Sequence, residues 1–156
     1  MVMFVFFFSV IQGAKKEGLV DSIPLYKDLA EALADPDNVI QLSLRGEKYK
    51  AFPIQIFQFK NLRYLDLSKN KMDSIPDEIL DLKQLKVLKL AKNKFTSFPP
   101  VLYKARSIKL LVISDNEIAY VSPEIKNMLA LESLDLYRNN VSEIPDELGE
   151  IEGFKT

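Results

Sequence analysis

Residues 62–70, LRYLDLSKN, place leucine at the first, fourth and sixth positions of a short frame and asparagine at the ninth. The frame returns at Leu85, Leu88, Leu90 and Asn93, then at Ile108, Leu111, Ile113 and Asn116, and again at Leu131, Leu134, Leu136 and Asn139, each time 23 residues on. One step earlier, Val39, Leu42 and Leu44 keep the register, with Gly46 and then Glu47 where asparagine is expected. The remainder of the unit repeats as well. An apolar residue followed by proline occurs at Phe52-Pro53, Ile75-Pro76, Phe98-Pro99 and Ile144-Pro145, while Val121-Ser122 breaks the proline column and Pro123 sits one place late. Further apolar columns run through Tyr49, Met72, Phe95, Ile118 and Val141, through Ile56, Ile79, Leu102, Ile125 and Leu148, and through Phe59, Leu82, Ala105, Met128 and Ile151. A fixed period of this length is the signature of a stacked repeat.

Alternation at the leucines predicts a short strand with both leucines on one side, and the other apolar columns return to that side from the rest of the unit. A single unit cannot bury such a face alone, so successive units must stack, with strands pairing in parallel about 4.8 Å apart in a curved solenoid. The asparagine at each turn is read as structural: its amide satisfies backbone groups that have left the strand ladder.

Residues 39–153 therefore resemble leucine-rich repeats of the 23-residue kind, L-x-x-L-x-L-x-x-N-x-L-x-x-L-P, in five units. The resemblance implies an α/β leucine-rich-repeat solenoid: a short right-handed horseshoe with a parallel concave sheet. Residues 15–38 read as an N-terminal cap with an amphipathic helix. Tyr26, Leu29, Ala30 and Leu33 share one helical face, Asp21 or Ser22 is placed to cap it ahead of Pro24, and Asp35-Pro36-Asp37 stops it. The string Tyr26-Lys27-Asp28-Leu29, Ala32-Leu33, Asp35-Pro36 and Val39 is similar to the capping segment of secreted leptospiral leucine-rich-repeat proteins, which implies export and contact with host or envelope molecules. Residues 1–14 hold an apolar run, VMFVFFFSVI, followed by small residues, and read as a signal peptide or an apolar arm. Ten residues are too few to span a bilayer. Residues 154–156 form the stub of a sixth unit. They leave the last strand uncapped and predict a homodimer through that end.

Composition removes most chemistry. The 156 residues contain no His and no Cys, which excludes Ser-His-Asp and Cys-His nucleophilic sites, disulfides and His- or Cys-based metal centres. With 21 basic against 22 acidic residues, the net charge of −1 gives no global pull toward nucleic acid. No cofactor, metal or catalytic residue is expected. Asp66 and Asp135 share a column but lie three strands apart, about 14 Å at 4.8 Å per strand, too far for a hydrolytic pair. The absence of cysteine leaves the compartment open: secreted or cell surface by resemblance, with a cytoplasmic scaffold or regulator as the alternative.

A concave sheet presents the non-leucine strand positions. One column reads Gln41, Tyr64, Val87, Leu110, Ser133, the next Ser43, Asp66, Lys89, Val112, Asp135, and the residues after the strands bring Tyr137 and Arg138. Tyr64, Val87, Leu110, Val112 and Tyr137, framed by Asp66, Lys89, Asp135 and Arg138, are thus the candidate binding face for a protein partner. Asp66 with Lys89 and Asp115 with Arg138 are expected as surface ion pairs. Arg45, Lys48, Lys69, Lys71, Lys92 and Lys94 line the edge after the strands and read as a solvated face.

Overall fold

The computed structural model describes residues 23–155, so the reading of residues 1–14 and the capping role of Asp21 or Ser22 lie outside the described residues. Six strands, β1 (Leu25–Tyr26), β2 (Gln41–Ser43), β3 (Tyr64–Asp66), β4 (Val87–Lys89), β5 (Leu110–Val112) and β6 (Ser133–Asp135), pair in parallel in chain order to form one open sheet. The register follows the repeat: Leu42 pairs with Leu65, Leu65 with Leu88, Leu88 with Leu111 and Leu111 with Leu134. Five 3-10 turns, Ile54–Gln58, Asp77–Asp81, Pro100–Lys104, Pro123–Asn127 and Asp146–Glu150, form the opposite layer. Four begin where the proline column fixes an extended backbone and the other at Ser122, and each closes with an i to i+3 bond, as when the Leu82 N–H donates to the Ile79 carbonyl at 3.2 Å. The fold is an α/β leucine-rich-repeat solenoid whose helical layer consists of single turns.

Between the layers lies one continuous core. Leu65, Leu88, Leu111, Ile56, Phe59, Leu102, Phe95 and Met128 are completely buried. Turns that leave the ladder are closed by asparagine. Asn93 accepts from the Met72 N–H at 3.1 Å and donates to the Leu67 and Leu90 carbonyls at 3.0 and 2.9 Å. Asn70, Asn116 and Asn139 repeat this arrangement. Each therefore serves the turn of the unit before its own. The unit that begins at Val39 follows only the two-residue β1, which has no such turn to close, and this accounts for Glu47 in the asparagine column. Among the described residues every buried side-chain nitrogen or oxygen has a partner.

The break in the proline column is compensated. Ser122, unlike proline, carries a backbone N–H, and it donates to the Tyr103 hydroxyl at 2.8 Å, while Ser122 Oγ accepts from the Glu124 N–H at 3.2 Å. Tyr103 also stacks on Phe98, with ring centroids 4.8 Å apart. The residue just before each asparagine column, Gly46, Lys69, Lys92, Asp115 or Arg138, has a left-handed backbone with φ between 53° and 84°.

The segment before the repeats differs from expectation. Leu25 and Tyr26 extend the sheet as β1, and α1 covers only Leu29–Leu33. Asp28 caps it by accepting from the Glu31 N–H at 2.8 Å. Ala32 is the buried residue of α1, with Leu29 and Leu33 half-buried and Ala30 exposed. Tyr26 is thus drawn from a helical stripe into the sheet, where β2 offers it backbone partners.

Candidate binding face

Because the period is kept without insertion, the columns read along the sequence become rows across the sheet. Tyr64, Val87 and Leu110 lie opposite one another on β3, β4 and β5, and Asp66, Lys89, Val112 and Asp135 form the parallel row beside them. Tyr64, Val87 and Leu110 are half-buried, as side chains on an open sheet face should be. Val112 is only 7% exposed, so it contributes to the core and the apolar surface is narrower than five residues. Tyr137, 66% exposed, stands on the flank beyond β6 with Arg138 over its ring, 5.2 Å from the centroid.

The charged residues divide between structure and surface. Asp66, 6% exposed, accepts from the Ser68 N–H at 2.8 Å, and Asp135 accepts from the Tyr137 N–H at 2.9 Å; each carboxylate closes the turn that leaves its strand. The expected pairing of Asp66 with Lys89 does not occur. Arg45, from the preceding unit, lies 3.9 Å from Asp66, while the Lys89 ammonium sits over the Tyr64 ring, 5.2 Å from its centroid. A lysine stem can lie along an aromatic ring and still keep its charge in water. Asp115 and Arg138 do pair, at 3.5 Å. The face is therefore a half-buried apolar row, Tyr64–Val87–Leu110, flanked by Lys89 and, at one end, by Tyr137 and Arg138. Sequence reading did not single out Arg45 as a partner of Asp66; its position one unit back, in the seventh column, was the available signal.

Asp66 and Asp135 stay three strands apart, each engaged with backbone. Among the described residues no group of three or more acidic side chains is placed to hold a metal ion, and no helix is long and apolar enough to cross a membrane.

Residues 39–156 match the family model of a leucine-rich repeat region. The chain belongs to the leucine-rich-repeat family. Among solved structures this repeat protein is similar to a leucine-rich-repeat protein of Leptospira interrogans, at 26% identity over 85% of this chain and 40% of that one, with a TM-score of 0.69. It is also similar to the BIR2 ectodomain of Arabidopsis thaliana, at 29% identity over 70% of this chain and 60% of that one, with a TM-score of 0.60. Internalin C2 of Listeria monocytogenes, at 21% identity over 83% of this chain and 55% of that one, shares the fold with a TM-score of 0.67. The chain thus spans less than two thirds of each of these proteins. No curated protein matches it.

Proposed function

We propose that this leucine-rich-repeat protein is a non-catalytic protein-binding module whose partner lies across the concave sheet. The observation that carries this reading is the row Tyr64–Val87–Leu110, apolar on three adjacent strands at positions where solvent-facing residues would serve the fold equally well. Lys89, Asp135, Tyr137 and Arg138 frame the contact, and Asp66 and Val112 support it from beneath. Likeness to an ectodomain supports a secreted or surface location, where the partner would be a host or envelope molecule. An intracellular scaffold is distinguished by mass spectrometry of the mature N-terminus, since export predicts a processed chain.

The double variant Tyr64→Ser, Leu110→Gln tests the face. Affinity capture from extracellular fractions with the wild-type chain, followed by titration of the captured protein, should show at least a tenfold loss for the variant. Its stability should stay within about 1 kcal/mol of wild type, as for partly exposed positions. Unchanged binding, or a stability loss as large as that of a core leucine, overturns the reading. A second reading is self-association through the half-buried Leu134, Leu136, Val141 and Phe154 around β6. Light scattering across a concentration series separates the two: a monomer at all concentrations removes it.

A further inference from the structure

The edges of the solenoid before and after the strands are not equivalent. Before the strands of the third and fourth units, where the second and third units stack, residues 79–86 and 104–108 border a hollow of about 430 Å³. That is within the range of small-molecule sites, roughly 300 to 1,000 Å³. Its charged lining is Lys83, Lys86, Lys104 and Arg106, with Leu80 and Ser107 between them and no carboxylate. None of the four cations is in an ion pair among the described residues. Asp81 lies two residues before Lys83 but does not line the hollow.

The repeat supplies its own control. The four positions recur between every pair of neighbouring units, so their charge can be read with the backbone held nearly constant. Between the first and second units they are Lys60, Arg63, Asp81 and Lys83; between the third and fourth, Arg106, Lys109, Asn127 and Leu129; between the fourth and fifth, Leu129, Glu132, Glu150 and Glu152. Only between the second and third are all four basic. The surrounding sequence shares the bias: from Leu82 to Ser114 there are eight lysines and arginines and not one Asp or Glu, in a chain whose net charge is −1. Folding does not require this, because the same backbone accepts three glutamates at the last junction. Four like charges around one hollow repel each other unless a counter-charge joins them.

We infer that this hollow is a binding site for a compact polyanion bearing two or more phosphate or sulfate groups. A single carboxylate would leave most of the cations opposed. Tetrahedral oxyanions offer each lysine a point contact and give the Arg106 guanidinium a two-pronged one. Leu80 provides a small apolar wall for the ligand's scaffold. The site stands on a different surface from the concave row and does not depend on the protein partner proposed above.

Isothermal titration of the full chain with inositol hexakisphosphate and, separately, with sucrose octasulfate tests the inference and distinguishes the two oxyanions. Saturable one-to-one binding of at least one is expected at physiological salt, weakening as salt is raised. Lys83→Gln with Arg106→Gln should weaken it about fivefold or more. Lys69→Gln with Lys92→Gln removes the same charge from the opposite edge and should leave it within about twofold. No saturable binding of either polyanion, or equal weakening by the two double variants, overturns the site, the latter by showing attraction to net charge alone. Both double variants leave the buried core untouched, and circular dichroism checks that each protein is folded before titration.

Discussion

The third unit, residues 85–107, and the fifth, residues 131–153, obey the same pattern and reach different ends. Leu88 and Leu90 are completely buried, whereas their counterparts Leu134 and Leu136 are half-buried; Asn93 is buried and Asn139 only partly so. Among the described residues the third unit is flanked on both sides, and the fifth on one. A leucine in this architecture is therefore core only to the extent that a neighbouring unit covers it, and stability is a sum over interfaces between units. Charge diverges in the same direction: the third unit has six basic residues and no acidic one, the fifth one basic and seven acidic. The pattern that holds the fold leaves these surface positions free, so a charge difference between units reflects something other than folding.

Paired substitutions can break this comparison. The largest effect is expected in the leucine column, where Leu88→Ala should cost about 3 to 4 kcal/mol and Leu134→Ala about half that, measured by urea denaturation. Equal losses would mean that flanking units do not set burial. Next, Asn93→Ala orphans the Met72 N–H in a dry interior, while the Leu67 and Leu90 carbonyls keep Asn70 and Asn116 as donors, and should cost about 2 kcal/mol; Asn139→Ala, in a partly exposed turn, about 1. The smallest pair sits in one column. Tyr103→Phe removes the acceptor of the Ser122 N–H and should cost about 1 kcal/mol, while Lys126→Ala loses only an exposed ion pair with Glu150 and should cost at most about 0.5 kcal/mol.

Tyr103 also gives that last pair a pH signature. Burial pushes its phenol above the ordinary value of 10.0, against the opposing pull of the Ser122 N–H. With the folded value raised, the neutral form favours the fold: the contribution is complete below pH 10 and is lost as pH climbs through the folded value. Wild type should accordingly lose more stability than Tyr103→Phe on going from pH 9 to pH 11. Identical alkaline profiles would place the hydroxyl in water.

How far the sequence could be read follows from the same logic. Register was legible because seven apolar columns leave no freedom to slip, so the neighbours of Tyr64 or Asp66 across the sheet could be named without coordinates. Exposure was not, because the burial of Val112 depends on how side chains of adjacent strands lean together. The ion pair of Asp66 was misassigned since Lys89 and Arg45 are both one unit away, and the choice between them turns on reach and on the Tyr64 ring. Ahead of the repeats, four apolar residues at helical spacing also satisfy a two-residue strand followed by one helical turn. The presence of β2 as a pairing partner decides between them, and a local pattern does not include it. The hollow on the leading edge went unread because its four cations come from two units and are contiguous only once the units stack.

The asparagine ladder gives the molecule a direction. Each amide reaches back, from Asn70 to Tyr49 and Leu44, from Asn139 to Ile118 and Ile113, and never forward to the unit that follows. A ribosome delivers these units in that same order, so every newly made turn waits for its successor before its backbone is closed. Trimming units from the carboxyl side would strip the latch from whichever unit becomes last, whereas trimming from the amino side would free only amides that water can satisfy. Removing the fifth unit should therefore speed exchange of the Ile118 N–H, which loses Asn139 as its acceptor, whereas removing the first unit should leave that amide protected.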